Sequence, residues 1–214
     1  MQLARSACDP KEASLDDPQF RASKGFMQIE APRFRLRGFL EDDRQCFVDY
    51  QMDRRYRNLY DFADSDATRA NQLFNLFRDW REQDPRQNLG IFERRDSQLC
   101  GCAGLRQSGQ SERMAVLGLE LSPDHWGRFG VAIEIAAALL EYGFSVLNLD
   151  TIIGATASGN SRVARIAHWF GADIVDYRDG PEWMKARGWK EVGWATSHSA
   201  WKISRGRRRF LKTN

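Results

Sequence analysis

The sequence predicts a fold of mixed α/β class, and three stretches predict it. The run 117–121 alternates leucine with other residues, as in a strand with one buried side, and a long apolar helix follows from Ala132. The β-branched run 151–156 then suits a buried strand that is parallel to the first and joined to it by a right-handed crossover. Earlier in the chain, 88–94 and 99–106 are typical of a hairpin around a polar turn.

The N-terminal part of the chain contributes an extension, a strand and two helices. Residues 1–30 are polar and show no clear period, so we expect a flexible extension. Basic and apolar residues alternate over 33–39, which predicts a strand, and the acidic segment 41–43 opens a helix at its positive end. A second helix is predicted over 66–83. Its predicted core stripe consists of Leu73, Leu76, Phe77 and Trp80.

The C-terminal part continues with a short helix and two more strands. The helix covers 162–170, after a capping turn, and closes at Gly171. Alternation around 174–177 and a run over 190–197 predict the strands.

Length and composition fit one globular domain. The chain has 214 residues, 42% of them hydrophobic and 29% charged, with a net charge of +3. We expect residues 31–204 to form this domain and 205–214 a basic tail, for which a solvated end is favoured over nucleic-acid or ribosome contact. No apolar run approaches the roughly 20 residues that span a bilayer, and the polar start lacks the apolar core of a secretory signal. We therefore expect a cytoplasmic protein without a membrane partner. For the oligomeric state, we expect either a monomer or a homodimer.

The four cysteines are Cys8, Cys46, Cys100 and Cys102. Cys100 and Cys102 flank a glycine in a predicted strand, where alternate side chains share a face. A metal site would need His or Cys partners nearby in the sequence, and none accompanies this pair. We therefore expect reduced, mostly buried thiols and no metal cofactor.

A glycine-bearing turn, 127–132, joins the strand 117–121 to the long helix. The first turn of a helix leaves backbone N–H groups unpaired at its positive end. Gly127 and Gly130 would let an anion approach these groups, and Arg128 adds a positive charge. The pattern suits either a pyrophosphate-binding turn or an ordinary strand-to-helix loop, and it does not by itself separate the two.

This turn resembles the Q/R-x-x-G-x-G/A loop of the GNAT N-acetyltransferase superfamily, which holds the pyrophosphate of acetyl-CoA. The surrounding stretch 117–128, with a proline and a Trp-Gly pair before the loop, is similar to the ribosomal-protein-alanine acetyltransferase branch. Three other segments resemble the same family in the same chain order. They are the Tyr-Gln-x-Asp-x-Arg-Tyr motif at 50–56, Asn160 with Gly171 at the end of the following helix, and the Glu-Trp-x-Lys-x-Arg-x-Trp order at 182–189.

The resemblance implies a GNAT fold, in which a mixed, mostly antiparallel sheet is splayed at its centre and carries helices on both faces. The splay would lie between the strands 117–121 and 151–156 and would admit acetyl-CoA as cosubstrate. Backbone groups of Leu119 and Leu121 would align the pantetheine and polarise the thioester carbonyl, and Asn160 would bond the pantetheine arm. The pyrophosphate-binding residues that the resemblance implies are Gly127, Arg128, Phe129, Gly130, Val131 and Ala132.

The implied reaction is transfer of an acetyl group from acetyl-CoA to an amine by direct attack on the thioester. The acceptor would be a protein N-terminus or a small-molecule amine. Glu120 is the carboxylate nearest to the splay and is the predicted catalytic residue. In a regular strand it would point to the face opposite Leu119 and Leu121, so a bulge would be needed to aim it at the amine. Asp176, Tyr177 and His125 are weaker candidates.

Four departures from the family pattern leave other interpretations open. Val116 stands where the branch often has glutamate, and Val163 stands where it usually has serine. Ala167 stands where many members have a tyrosine acid, and Phe129 lengthens the loop by one residue. The alternative is therefore a catalytically weak acyl-CoA-binding regulatory protein of the same fold. A third interpretation is a nucleic-acid-associated factor that uses the basic tail.

Overall fold

The computed structural model describes residues 28–60, 66–83, 88–109, 111–128 and 130–211. Within these ranges the chain forms one eight-stranded sheet and seven α-helices. The strands are β1 (Gln28–Glu30), β2 (Phe34–Arg37), β3 (Leu89–Glu93), β4 (Leu99–Gln107), β5 (Met114–Leu121), β6 (Thr151–Ala157), β7 (Asp173–Arg178) and β8 (Glu191–Ser197). The helices are α1 (Arg44–Met52), α2 (Arg54–Tyr60), α3 (Ala67–Gln83), α4 (Val131–Ser145), α5 (Ser161–Trp169), α6 (Glu182–Lys185) and α7 (His198–Leu211). None of these described helices has both the length and the apolar character to cross a membrane.

The sheet is mixed and mostly antiparallel, as predicted. Its strand order is β1-β2-β3-β4-β5-β6-β8-β7, and every neighbouring pair is antiparallel except β5 and β6. α4 connects these two parallel strands, which is the predicted strand–helix–strand unit. β1 lies inside the range predicted as an extension, and α7 continues into the range predicted as a basic tail.

Two apolar cores pack against opposite faces of the sheet. The larger core joins α4 and α7 to one face through residues such as Ile135, Leu139 and Trp201. The second core joins α1 and α3 to the other face, where Phe39 and Phe47 meet edge to face with ring centroids 5.3 Å apart. Helices thus cover both faces, as the GNAT resemblance implied.

The buried stripe of α3 differs from the predicted one. Phe74 is fully buried in the second core and Leu73 and Phe77 pack against it, whereas Leu76 is 44% exposed. The aromatic rings of α1 and of the loop after β2 contact the helix face that carries Phe74, and Leu76 lies off that face. The side chain of Trp80 lies outside the described residues.

A bulge in β4 separates the two cysteines that were predicted to share a face. Between two consecutive residues of β3, the pairing in β4 steps from Gly101 to Leu99, so that Cys100 is the extra residue. Gly101 has a φ of +145°, which side-chain-bearing residues rarely adopt. Cys100 therefore packs in the α4-side core and Cys102 in the opposite core, and the prediction of a shared face is wrong.

The cysteine thiols follow the prediction in part. Cys100 and Cys102 are free and buried, as expected. Cys46 is disulfide-bonded, so the expectation of a reduced thiol is wrong there. Cys8 lies outside the described residues.

The sheet opens between β5 and β6. The two strands pair only over Met114–Val116 and Thr151–Ile153, although β5 continues to Leu121 and β6 to Ala157. Beyond the paired segment, β5 remains hydrogen-bonded to β4 and β6 to β8, so each strand follows its outer neighbour. The predicted splay is therefore present, with Leu117 and Gly154 the first residues past its base.

Candidate active site

The turn before α4 adopts the backbone conformation that its glycines permit. α4 begins at Val131, after Gly130 as its N-cap, and Gly127 and Gly130 have φ values of +74° and +79°. Only glycine enters this left-handed region without a steric cost. No side chain of the described residues caps the helix start. The N–H groups of its first turn therefore have no side-chain cap at the positive end of the helix dipole, the arrangement typical of an anion site.

Three arginines surround this turn at the mouth of the splay. A Cβ atom built on Gly130 would lie 3.3 Å from Nη2 of Arg33, and one built on Gly127 would lie 3.4 Å from Nη1 of Arg162. Arg162 comes from α5, on the β6 side of the splay, so its guanidinium group reaches across the opening. Arg128, within the turn, is exposed. Phe129 lies outside the described residues.

A salt bridge anchors the turn to the start of the sheet. Arg33 Nε lies 2.7 Å from Glu134 Oε2, and the main-chain N–H of Arg33 donates to Glu134 Oε1 at 2.6 Å. Glu134 also belongs to the first turn of α4, where a carboxylate complements the helix dipole. The N-terminal end of α4 is thus fixed in position relative to β2.

The main chain of β5 lines the splay. The N–H of Ser122 donates to the carbonyl of Cys100 at 2.7 Å, toward β4. Along a strand, successive residues direct their N–H and C=O groups to alternate sides. Because Ser122 is directed toward β4, the main-chain groups of Leu119 and Leu121 are directed toward β6 and the gap. Trp126 Nε1 donates to the carbonyl of Leu121 at 2.7 Å and so occupies that acceptor. The N–H and C=O of Leu119 border the open segment, where the resemblance requires them.

Asn160 lies on the other side of the splay, at the N-cap of α5. Its side-chain Oδ1 accepts a hydrogen bond of 3.3 Å from the N–H of Val163, and the residue is exposed. The oxygen is therefore used as a cap, which leaves the amide N–H₂ group as a donor beside β6.

Glu120 projects from the splayed part of β5 toward α1 and α2. Tyr50 Oη and Gln51 Nε2 donate to its Oε1 at 2.8 Å and 2.9 Å, and Tyr56 Oη donates to its Oε2 at 2.6 Å. The pairing of β5 with β4 is regular at this position, so Glu120 points to the face opposite its leucine neighbours and no bulge redirects it. Burial raises the pKa of Glu120 above its ordinary value, and the three hydrogen bonds oppose that shift only in part.

Three of the donors to Glu120 come from the Tyr-Gln-x-Asp-x-Arg-Tyr motif, and the thiol of Cys102 lies 4.0 Å from Glu120 Oε1. The same motif supplies Asp53 and Arg55. Arg55 Nη2 lies 2.6 Å from Asp53 Oδ2 and 2.6 Å from Oδ1 of Asp124, which comes just after β5. This contact ties the start of α2 to the turn that follows β5. Sequence reasoning identified the motif but not its convergence on Glu120.

The weaker catalytic candidates do not join Glu120. His125 is 1% exposed, and its Nδ1 lies 2.8 Å from Ser122 Oγ on the α4 side of the sheet. Asp176 and Tyr177 lie on β7, an exposed edge strand that two strands separate from β5.

An indole ring that sequence reasoning missed lies at the base of the splay. A Cβ atom on Gly154 would lie only 2.2 Å from the ring of Trp194, so the ring occupies the space that a side chain at Gly154 would need. Trp194 Nε1 is buried and has no hydrogen-bond partner among the described residues. A glycine inside a strand often marks such a close approach, and this was the available signal.

Comparison with known proteins identifies the family. The family model described as an acetyltransferase (GNAT) domain matches residues 33–173, which is more than half of the chain. The chain belongs to the GNAT acetyltransferase family. The matched region contains the splay, the turn before α4 and Glu120, so the elements described above lie within the GNAT domain.

Named relatives agree with this GNAT assignment. The uncharacterised N-acetyltransferase YoaA of Bacillus subtilis is 28% identical over 147 residues, which cover 66% of this chain and 80% of YoaA. A putative ribosomal-protein-serine acetyltransferase from Vibrio cholerae superposes with a TM-score of 0.65 at 20% identity, covering 80% of this chain and 97% of that one. Spermidine N-acetyltransferase from Vibrio cholerae, solved with CoA and spermine, gives a TM-score of 0.63 at 16% identity, covering 79% and 98%. At these identities the two solved structures show a shared fold.

Proposed function

We propose that this GNAT protein is an acetyl-CoA-dependent N-acetyltransferase that acts on an amine. The observation that carries the proposal is the open segment between β5 and β6, which has an uncapped, glycine-bearing helix start at its mouth and a buried carboxylate beside it. Family membership supports acetyl-CoA as the donor. The acceptor would approach from the α1–α2 face, where Glu120 lies, while the nucleotide enters from the α4 face.

The proposed cofactor contacts follow the splay from mouth to base. N–H groups of the turn 127–132, including those of Phe129, Val131 and Ala132, would bind the pyrophosphate, with Arg128 and Arg162 adding positive charge. Main-chain groups of β5 would align the pantetheine, and the free amide N–H₂ of Asn160 would donate to it.

The proposed reaction is direct transfer. The neutral amine attacks the thioester carbonyl, the C–N bond forms, the C–S bond breaks, and the CoA thiolate leaves and takes up a proton from water. Glu120 would accept the proton released from the amine. A carboxylate with a raised pKa is a stronger base than an ordinary one, which suits Glu120 to the role of general base. Holding the amine against the thioester supplies a further large part of the rate.

The acetyl-CoA site can be tested with substitutions at two glycines that have similar backbone conformations. Gly130→Glu places a negative side chain at the proposed pyrophosphate site. Gly109→Glu is the control, because Gly109 has a similar φ of +71° and open space around it. Calorimetric titration should show acetyl-CoA binding weakened at least about tenfold, or ~1.4 kcal/mol, in the first variant only. Equal affinities of the two variants would exclude this turn as the pyrophosphate site.

Turnover separates the enzyme from the regulatory alternative. Both carboxylate oxygens of Glu120 already accept hydrogen bonds, an observation that also favours a catalytically weak acyl-CoA-binding protein. Release of CoA thiol should be measured with acetyl-CoA and a panel of polyamines, small amines and peptides with free N-termini. Acetyl-CoA binding without thiol release from any acceptor would favour the regulatory function.

A further inference from the structure

We propose that Glu93, Cys100 and His125 bind a zinc ion. These three side chains come from the end of β3, the bulge of β4 and the helical turn just after β5. One potential ligand atom of each lies within 4.8 Å of those of the other two. The group lies on the α4 face of the sheet, opposite Glu120, and is therefore separate from the proposed catalytic carboxylate.

The bulge of β4 brings the sulfur to this group. Without the extra residue, Cys100 would lie on the same face as Cys102, among the aromatic rings of the second core. The bulge and the unusual φ of Gly101 turn the side chain to the α4 face instead. β-Bulges commonly re-aim a side chain next to a functional site, at the cost of a local break in strand pairing.

The imidazole ring is oriented as a metal-binding histidine requires. Ser122 Oγ lies 2.8 Å from His125 Nδ1, which leaves Nε2 directed at the carboxylate. His125 Nε2 and Glu93 Oε1 are 3.4 Å apart. In a tetrahedral zinc site, bond lengths of about 2.0–2.3 Å place neighbouring ligand atoms roughly 3.3–3.6 Å apart. Two of the ligand atoms therefore already have the required spacing. Cys100 Sγ lies 3.3 Å from the carbonyl oxygen of Gln98 and would have to leave that contact to complete the group.

Zinc binding would exchange the thiol proton of Cys100 for the metal. A sulfur–zinc bond forms, the S–H bond breaks, and one proton is released to solvent.

The ligand set selects the metal by its chemistry. One sulfur, one imidazole nitrogen and one carboxylate oxygen suit zinc, whereas magnesium and calcium prefer oxygen alone. A water molecule would complete the coordination through the partly exposed side of Glu93. Arg128 Nη1 and Arg95 Nη2 lie 3.7 Å and 3.8 Å from Glu93, and both arginines are more than half exposed. Because both separations exceed 3.5 Å and both arginines are exposed, these ion pairs contribute little and the metal would displace them at small cost.

Cobalt titration of the chelator-treated, full-length protein tests the site directly. Co²⁺ should give saturable visible bands of tetrahedral coordination and a thiolate-to-cobalt charge-transfer band, and one equivalent of Zn²⁺ should abolish both. Cys100→Ser should remove the charge-transfer band and weaken zinc binding by at least about 100-fold. Ser122→Ala should weaken it by about 10- to 100-fold, the usual effect of losing an outer-shell partner. Cys102→Ser is the matched control, because this free buried thiol lies on the other face.

The outcomes are decisive in both directions. Absence of saturable binding by the wild-type protein, a charge-transfer band that persists in Cys100→Ser, or its loss in Cys102→Ser would each overturn the proposal. If Cys100→Ser fails to fold, Glu93→Gln at the partly exposed strand end replaces it. That variant should keep the charge-transfer band but bind zinc more weakly, and unchanged affinity would overturn the proposal.

Discussion

Adding one methyl group at Gly154 should disturb the base of the splay through Trp194. The new Cβ would lie 2.2 Å from Cζ2 of the indole, so the ring must retreat by about 1 Å to reach an ordinary contact near 3.4 Å. Overpacking of this kind costs typically about 1–3 kcal/mol. For a chain of this length, each kcal/mol lowers Tm by about 2–4 °C. Gly154→Ala should therefore lower the free energy of unfolding by ~1–3 kcal/mol.

The same strand pair supplies the control. In β5, across the splay, a Cβ atom on Gly118 would meet nothing nearer than Arg106 Nη2 at 3.9 Å. Gly118→Ala should be neutral, or should stabilise by about 0.4–1 kcal/mol because alanine lowers the conformational entropy of the unfolded chain. Urea unfolding of both variants measures the difference, and acetyl-CoA titration shows whether the displaced ring enters the splay. If Gly154→Ala is as stable as Gly118→Ala, the ring does not hold the position described, and this reasoning fails.

Two further predictions concern catalysis and the second core. Glu120→Gln should lower kcat by about 10²–10⁴, the usual contribution of a general base, and unchanged steady-state turnover would remove Glu120 from the mechanism. Because burial raises the folded-state pKa of Glu120, its stabilising contribution is complete below the ordinary value of 4.5 and is lost as pH rises through the folded pKa. Urea unfolding should therefore show the Gln variant gaining stability relative to the wild type as the pH rises above 4.5, and a constant difference would contradict the shift. Phe74→Ala should destabilise by about 3–5 kcal/mol, whereas Leu76→Ala, at an exposed position, should change stability by no more than about 0.5 kcal/mol; equal losses would contradict the assigned face of α3.

The features that sequence reasoning predicted correctly are those with a local cause. The strand at 117–121, the helix that follows it and the β-branched strand near 151 depend on periods of two and 3.6 residues within a short segment. The glycines of the turn before α4 are needed by the backbone of that turn itself. The GNAT resemblance then related these local segments to one another, and the family match confirms it.

The errors have a different origin. Leu76 was placed in the core because it fits a helical stripe, but neighbouring aromatic rings select the adjacent stripe through Phe74. Cys100 and Cys102 were placed on one face because regular strands alternate, and one extra residue in β4 reverses that alternation. In both cases, contacts with distant segments decided between local patterns of similar quality.

The sequence by itself determined the central strand–helix–strand unit, the glycine turn and the family, because each depends on residues close together in the chain. It did not predict β1 or α7. Only the tertiary structure decided that Tyr50, Gln51 and Tyr56 surround Glu120, and that Glu93, Cys100 and His125 meet on the other face. The physical reason is that such meetings depend on strand order, pairing register and a single bulge. A change of one residue in register turns a side chain to the opposite face of the sheet.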